Sequence, residues 1–119
     1  MLHDGSSSPE EFALLGENFC QYILRPRANL LPSDAVLDVG CGNGAVALAL
    51  TRFLSPPGRY EGLDVNATTI AWLSEHYRAH PNFRFSDAGV YNKAYNAGGR
   101  KTATEYRFPF ADSSFDLVF

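Results

Sequence analysis

Val36-Leu37-Asp38-Val39-Gly40-Cys41-Gly42-Asn43-Gly44 is the stretch that decides how this chain reads. It begins in a short apolar run, Ala35–Val39, rich in β-branched residues. Glycines follow at once. That pattern predicts a strand buried on both faces, as in a parallel sheet. Glycines at 40, 42 and 44 let the backbone turn sharply, and they let a ligand approach without meeting a Cβ. Residues 45–54 are apolar on nearly every side, so a buried helix is expected, with its free N–H groups opening on the loop. Pro56-Pro57-Gly58 stops it.

Working outward, residues 60–64 read as a second strand. Asn66 caps a helix over 67–79, with Ile70, Leu73 and Tyr77 on one face. Residues 83–86 make a third, short strand. Upstream, residues 1–7 read as a loose tail. Ser8, Pro9 and Glu11 then open a helix as cap, first-turn proline and capping-box partner. Phe12, Leu15, Phe19, Tyr22 and Ile23 give it an apolar face, and Pro26 is expected to end it soon after Arg25. Residues 88–107 lack a clear period. Lys93, Arg100, Lys101 and Arg107 against Glu105 give them a net charge of +3 (four minus one). An inserted loop or small hairpin is expected there. Phe108-Pro109-Phe110 and the turn Asp112-Ser113-Ser114 lead into a fourth strand over 115–119. Strands alternating with helices mean an α/β fold with a parallel sheet and right-handed crossovers.

A glycine loop alone says little about ligands. Asp64, at the end of the second strand and 20 residues beyond Gly44, adds a second element. A carboxylate there can accept hydrogen bonds from both hydroxyls of a ribose. Loop and acid together read as a site for an adenosine-containing cofactor at the carboxyl ends of the strands. The plainer alternative is a tight turn beside a surface aspartate that caps a helix. Gly40-x-Gly42-x-x-Ala45 would also satisfy a dinucleotide fingerprint.

The wording of the loop resembles a different family, the class I S-adenosylmethionine-dependent methyltransferases. These carry an acid two residues before the first glycine, here Asp38, and then G-x-G-x-G. Gly62-Leu63-Asp64-Val65 is similar to the family's second motif. Phe108-Pro109-Phe110-Ala111-Asp112-Ser113-Ser114-Phe115-Asp116-Leu117-Val118 resembles its approach to strand four. The three segments stand in family order over residues 30–119. The resemblance implies a Rossmann-like parallel sheet with flanking helices, and S-adenosylmethionine as cofactor. It implies that Gly40, Cys41, Gly42 and Gly44 line the methionine part, with Asp38 orienting its amino group. Asp64 would hold the ribose hydroxyls and Val65 would pack on adenine. Asp87 and Ala88 would meet the adenine amino group. An acid at 38 suits an ammonium and would repel a diphosphate. The family fold has seven strands and this chain offers about four. An incomplete methyltransferase fold is therefore expected, residues 1–119 being its N-terminal, cofactor-binding part. A further C-terminal half, or a partner, would cover the fourth strand's edge. Two departures stand out: the strand deficit, and the 22 positions between Asp87 and Pro109, where the family has a few. The insert reads equally as a lid against the acceptor or as a decorative hairpin.

Composition bounds the rest. Hydrophobic residues make up 45% of 119 and charged residues 19%, which fits a soluble globular class. The net charge of -3 disfavours nucleic acid and anionic membranes as partners. No stretch reaches the length of a membrane helix and the N-terminus has no secretory pattern, so a cytoplasmic location is expected. Cys20 and Cys41 are not expected to form a disulfide. The favoured acceptor is a small molecule of unidentified structure. His3, His76 and His80 read as surface residues, so no catalytic base is assigned, and no metal ligands are. Two other functions stay open: an NAD- or nucleotide-binding oxidoreductase domain, and a cofactor-binding module without catalysis.

Overall fold

The computed structural model describes residues 8–88 and 114–119. Helix α1 spans Pro9–Phe19, and the Ser8 hydroxyl caps it by accepting the Glu11 N–H at 3.1 Å. A π-helical turn, Cys20–Leu24, follows, and α2, Arg25–Ala28, continues from it. The helical path therefore runs through Pro26 rather than stopping before it. Pro26 has no N–H to give, and it falls within the first turn of α2, where none is needed. The turn before it is the wide one, closed by the Arg25 N–H on the Cys20 carbonyl. The chain leaves α2 at Asn29, in the left-handed conformation with φ 54°.

Strand β1 is Ala35–Val39, α3 is Ala45–Leu50, β2 is Arg59–Asp64, α4 is Ala67–His76, β3 is Phe83–Asp87 and β4 is Leu117–Val118. Helix α3 is shorter than expected, because turns carry residues 51–53 down to buried Leu54. Asn66 caps α4 as predicted, accepting the Thr69 N–H at 3.1 Å. The four strands are parallel in the order β3-β2-β1-β4. The expected insert over 88–107 lies outside the described residues, apart from Ala88.

Alternation along the strands sorts the side chains. Val36, Tyr60, Phe83 and Phe85 share one core with Leu24, Leu50, Ile70, Leu73 and Tyr77 from the helical segments. Burying each such side chain is worth roughly 1.5–3 kcal/mol. Leu37 and Leu63 are buried on the opposite face. The buried stripe of the N-terminal helix differs from the predicted one. Gly16, Cys20 and Leu24 are buried, whereas Leu15, Tyr22 and Ile23 are exposed. The cause is Gly16. Its bare backbone lies against α3 so closely that a Cβ there would sit 2.0 Å from the Ala45 carbonyl oxygen. The helix turns its smallest residue inward and leaves larger ones outside.

At the other edge, Arg59 organises the start of β4. Its guanidinium lies 4.5 Å from the centre of the Phe115 ring and donates to the Ser114 carbonyl at 2.5 Å. The Asp116 carboxylate accepts the Ala35 N–H at 2.8 Å, which sets β4 against β1. No helix among the described residues is long and apolar enough to cross a membrane.

Candidate functional site

β1 and β2 end side by side, Val39 opposite Leu63, and the glycine loop leaves from that point. The Leu63 carbonyl accepts two N–H groups, from Gly40 at 2.7 Å and Cys41 at 2.9 Å. This pins the first turn of the loop onto β2. Gly40, Gly42 and Gly44 have φ of 79°, 55° and 87°. A residue with a Cβ is strained in that region. At Gly44 the space is closed too, since a Cβ would lie 2.9 Å from Leu73 Cδ2. At Gly40 and Gly42 a Cβ would meet nothing within 4 Å among the described residues. Among the described residues, that side of the loop is bare backbone.

Asp64 lies half-buried at the end of β2. Its Oδ2 accepts the Gly42 N–H at 2.9 Å and its Oδ1 accepts the Asn66 N–H at 3.0 Å. One carboxylate thus holds both the loop and the entry to α4. Val65 is half-buried beside it. Asp87 pairs in register with Asp64, and the Ala88 N–H donates to the Asp64 carbonyl at 2.9 Å. The ends of three strands therefore bring Asp38, the loop, Asp64, Val65, Asp87 and Ala88 to one edge of the sheet.

Asp38 is only 6% exposed. Its Oδ2 accepts the Tyr60 hydroxyl at 2.6 Å. Burial pushes the Asp38 carboxyl above the usual aspartate range. The Tyr60 hydrogen bond opposes that shift, and the nearby Asp64 charge adds to it. Burial likewise raises the Cys41 thiol far above its ordinary value, helped by Asp38 and Asp64, so Cys41 is not an activated nucleophile. Among the described residues neither Asp38 nor Asp64 forms an ion pair. No cluster there of three or more His, Cys, Asp or Glu could hold a metal.

His76 and His80 stand apart from this edge. His76 closes α4 at the end away from Asn66 and stacks on Trp72 at 4.6 Å. His80 packs near Tyr77 and Phe83. His3 lies outside the described residues. Sequence alone places Tyr60 only in a strand. The available signal was chemical: a tyrosine in a buried strand needs an acceptor for its hydroxyl, and Asp38 is the acid on the neighbouring strand.

The methyltransferase-domain family matches residues 36–119, from the first strand to the last. The chain belongs to that family. As a methyltransferase domain it also resembles solved structures. Coclaurine N-methyltransferase, bound to N-methylheliamine and S-adenosylhomocysteine, superposes with a TM-score of 0.54 at 21% identity, over 74% of this chain and 25% of that one. The YcgJ protein of Bacillus subtilis gives 0.53 at 20% identity, over 92% and 36%. The [4+2]-cyclase SpnF gives 0.58 at 22% identity, over 89% and 32%. The domain thus spans about a quarter to a third of the length of these structures. The likeness establishes the Rossmann-like fold. Because one of the three is a cyclase, the fold by itself does not specify the reaction.

Proposed function

We propose that this chain is the cofactor-binding part of an S-adenosylmethionine-dependent methyltransferase. Two carboxylates carry the conclusion. Asp38 and Asp64 flank an open glycine loop with no ion-paired base beside them among the described residues. A dinucleotide diphosphate would add negative charge to that edge. A ligand carrying an ammonium and a sulfonium offsets it. S-adenosylmethionine is such a ligand and supplies a methyl group already activated for transfer.

Each residue then has a part. The backbone of Gly40, Cys41, Gly42 and Gly44 lies along the amino-acid end. Asp38 takes the ammonium. Each Asp64 oxygen accepts one backbone N–H and has a further lone pair for a ribose hydroxyl. Val65 packs on adenine, and Asp87 with Ala88 faces its amino group. The protein's contribution to transfer is positioning, since a bound acceptor need only be held in line with the methyl. The acidic balance of the chain favours a small-molecule acceptor over a nucleic acid.

Calorimetric titration of the chain with S-adenosylmethionine, S-adenosylhomocysteine and NAD tests this. The first two should bind and NAD should not. Preference for NAD would overturn the cofactor and with it the methyltransferase function.

A further inference from the structure

Tyr60 is completely buried. Its ring stacks on Phe83 at 5.3 Å and tilts against Phe85 at 5.6 Å. In the ladder Tyr60 stands opposite Val36, and Asp38 stands opposite Gly62. To reach Asp38 the tyrosine ring must lie along its own strand, over residue 62. Gly62 permits this. A Cβ there would sit 3.1 Å from Tyr60 Cε1, 3.0 Å from Cys41 Sγ and 2.9 Å from Phe85 Cδ1. Phenylalanine would fill the same core without a polar atom to satisfy. The tyrosine hydroxyl has one hydrogen to give, and Asp38 Oδ2 receives it.

The other Asp38 oxygen is different. Among the described residues no second donor reaches it. Yet no side-chain oxygen or nitrogen there is both fully buried and without a partner. Asp38 Oδ1 therefore keeps contact with solvent while the rest of the residue is enclosed. We propose that Tyr60 is a positioning residue for the amino-acid end of the cofactor, holding Asp38 by one oxygen so that the other meets the ammonium. This rests on the cofactor assignment above.

The charges around the pair agree with that role. Among the described residues Asp38 is faced by Tyr60 and Asp64 from β2 and by Cys41 from the loop, and Tyr77, which caps the end of α4, lies near enough to Tyr60 and Cys41 to influence their charge. None of these is a cation. Burial and Asp64 favour protonating Asp38, and only the Tyr60 hydrogen bond opposes them. Removing that hydroxyl leaves Asp38 protonated to higher pH and so poorer at holding a cation.

Calorimetry on Tyr60→Phe, in the full 119-residue chain, separates this from a packing role. The two probes are S-adenosylhomocysteine, which carries the ammonium, and methylthioadenosine, which lacks the amino-acid part. Tyr60→Phe should weaken the first about tenfold and leave the second unchanged. It should also move the pH midpoint of S-adenosylhomocysteine affinity upward. Fluorotyrosine at position 60, a more acidic donor on nearly the same ring, should move the midpoint downward and covers the case in which Tyr60→Phe folds poorly. Equal weakening of both probes, or a midpoint indifferent to fluorotyrosine, would make Tyr60 a core residue only and overturn the proposal. A wild-type chain that binds neither probe strikes the cofactor assignment itself, and the role of Tyr60 falls with it.

Discussion

The Asp64 carboxylate holds the glycine loop shut against β2, its Oδ2 accepting the Gly42 N–H at 2.9 Å. Its other oxygen holds Asn66, so the same side chain sets the start of α4. Asp64→Ala should therefore do more than remove a ribose contact. Losing two charge-assisted hydrogen bonds at a half-exposed site should cost about 1–2 kcal/mol. In a domain of this size that lowers Tm by roughly 5–10 °C. Thermal melting beside S-adenosylhomocysteine titration checks both effects. A variant that loses the ligand at unchanged Tm would show that the loop does not depend on Asp64.

Gly16 offers a prediction in which two principles oppose each other. Helix propensity alone says that alanine in place of a mid-helix glycine stabilises by about 1 kcal/mol. Packing says the reverse, because the new Cβ would meet the Ala45 carbonyl oxygen, a backbone atom that cannot swing away. Overpacking of this kind costs about 1–3 kcal/mol. Gly16→Ala should be destabilising in urea denaturation. A stabilised variant would mean that α1 does not dock on α3 at this distance.

Asp38 makes the folded protein sensitive to pH in a defined direction. Its folded pKa is raised by burial, so the folded state binds more protons than the unfolded state above the ordinary aspartate range near about 4. Its contribution to stability accordingly falls as pH rises from that range through the raised value, and is flat beyond it. Glu61, also raised by burial, acts in the same direction. Comparing wild type with Asp38→Asn isolates Asp38. The stability of wild type relative to the variant should decline as pH rises above about 4, through the raised Asp38 value. A difference constant with pH would contradict the burial of this carboxyl.

Both cysteines should be inert while the chain is folded. Cys20 and Cys41 are free, buried thiols, each raised above its ordinary value chiefly by burial. A thiol reagent at mildly alkaline pH should label neither in the native protein and both after denaturation. Rapid native labelling of Cys41 would mean that the loop opens readily.

Much of the sheet was legible because its signals are local. β1, its glycine loop, the end of β2 at Asp64 and the Asn66 cap all came from residues adjacent in sequence. Turn chemistry and hydrophobic runs act over that range. The N-terminal helix is less legible. Its apolar periodicity pointed to Leu15, Tyr22 and Ile23, but the nearness of α3 to Gly16 decided which stripe went inside. Pro26 reads as a stop in the sequence, but the π turn before it carries the helix through.

Sequence by itself determined the strand-loop-helix path and the acids at its corners, since three glycines with positive φ and a short β-branched run admit few other backbones. Tertiary structure decided how those acids are used. Asp38 and Tyr60 are 22 residues apart and meet only because β1 and β2 pair in parallel register, with Gly62 leaving space between them. A hydrogen bond across strands depends on register, which no local pattern encodes, and the bare Gly62 serves it only once the strands are paired.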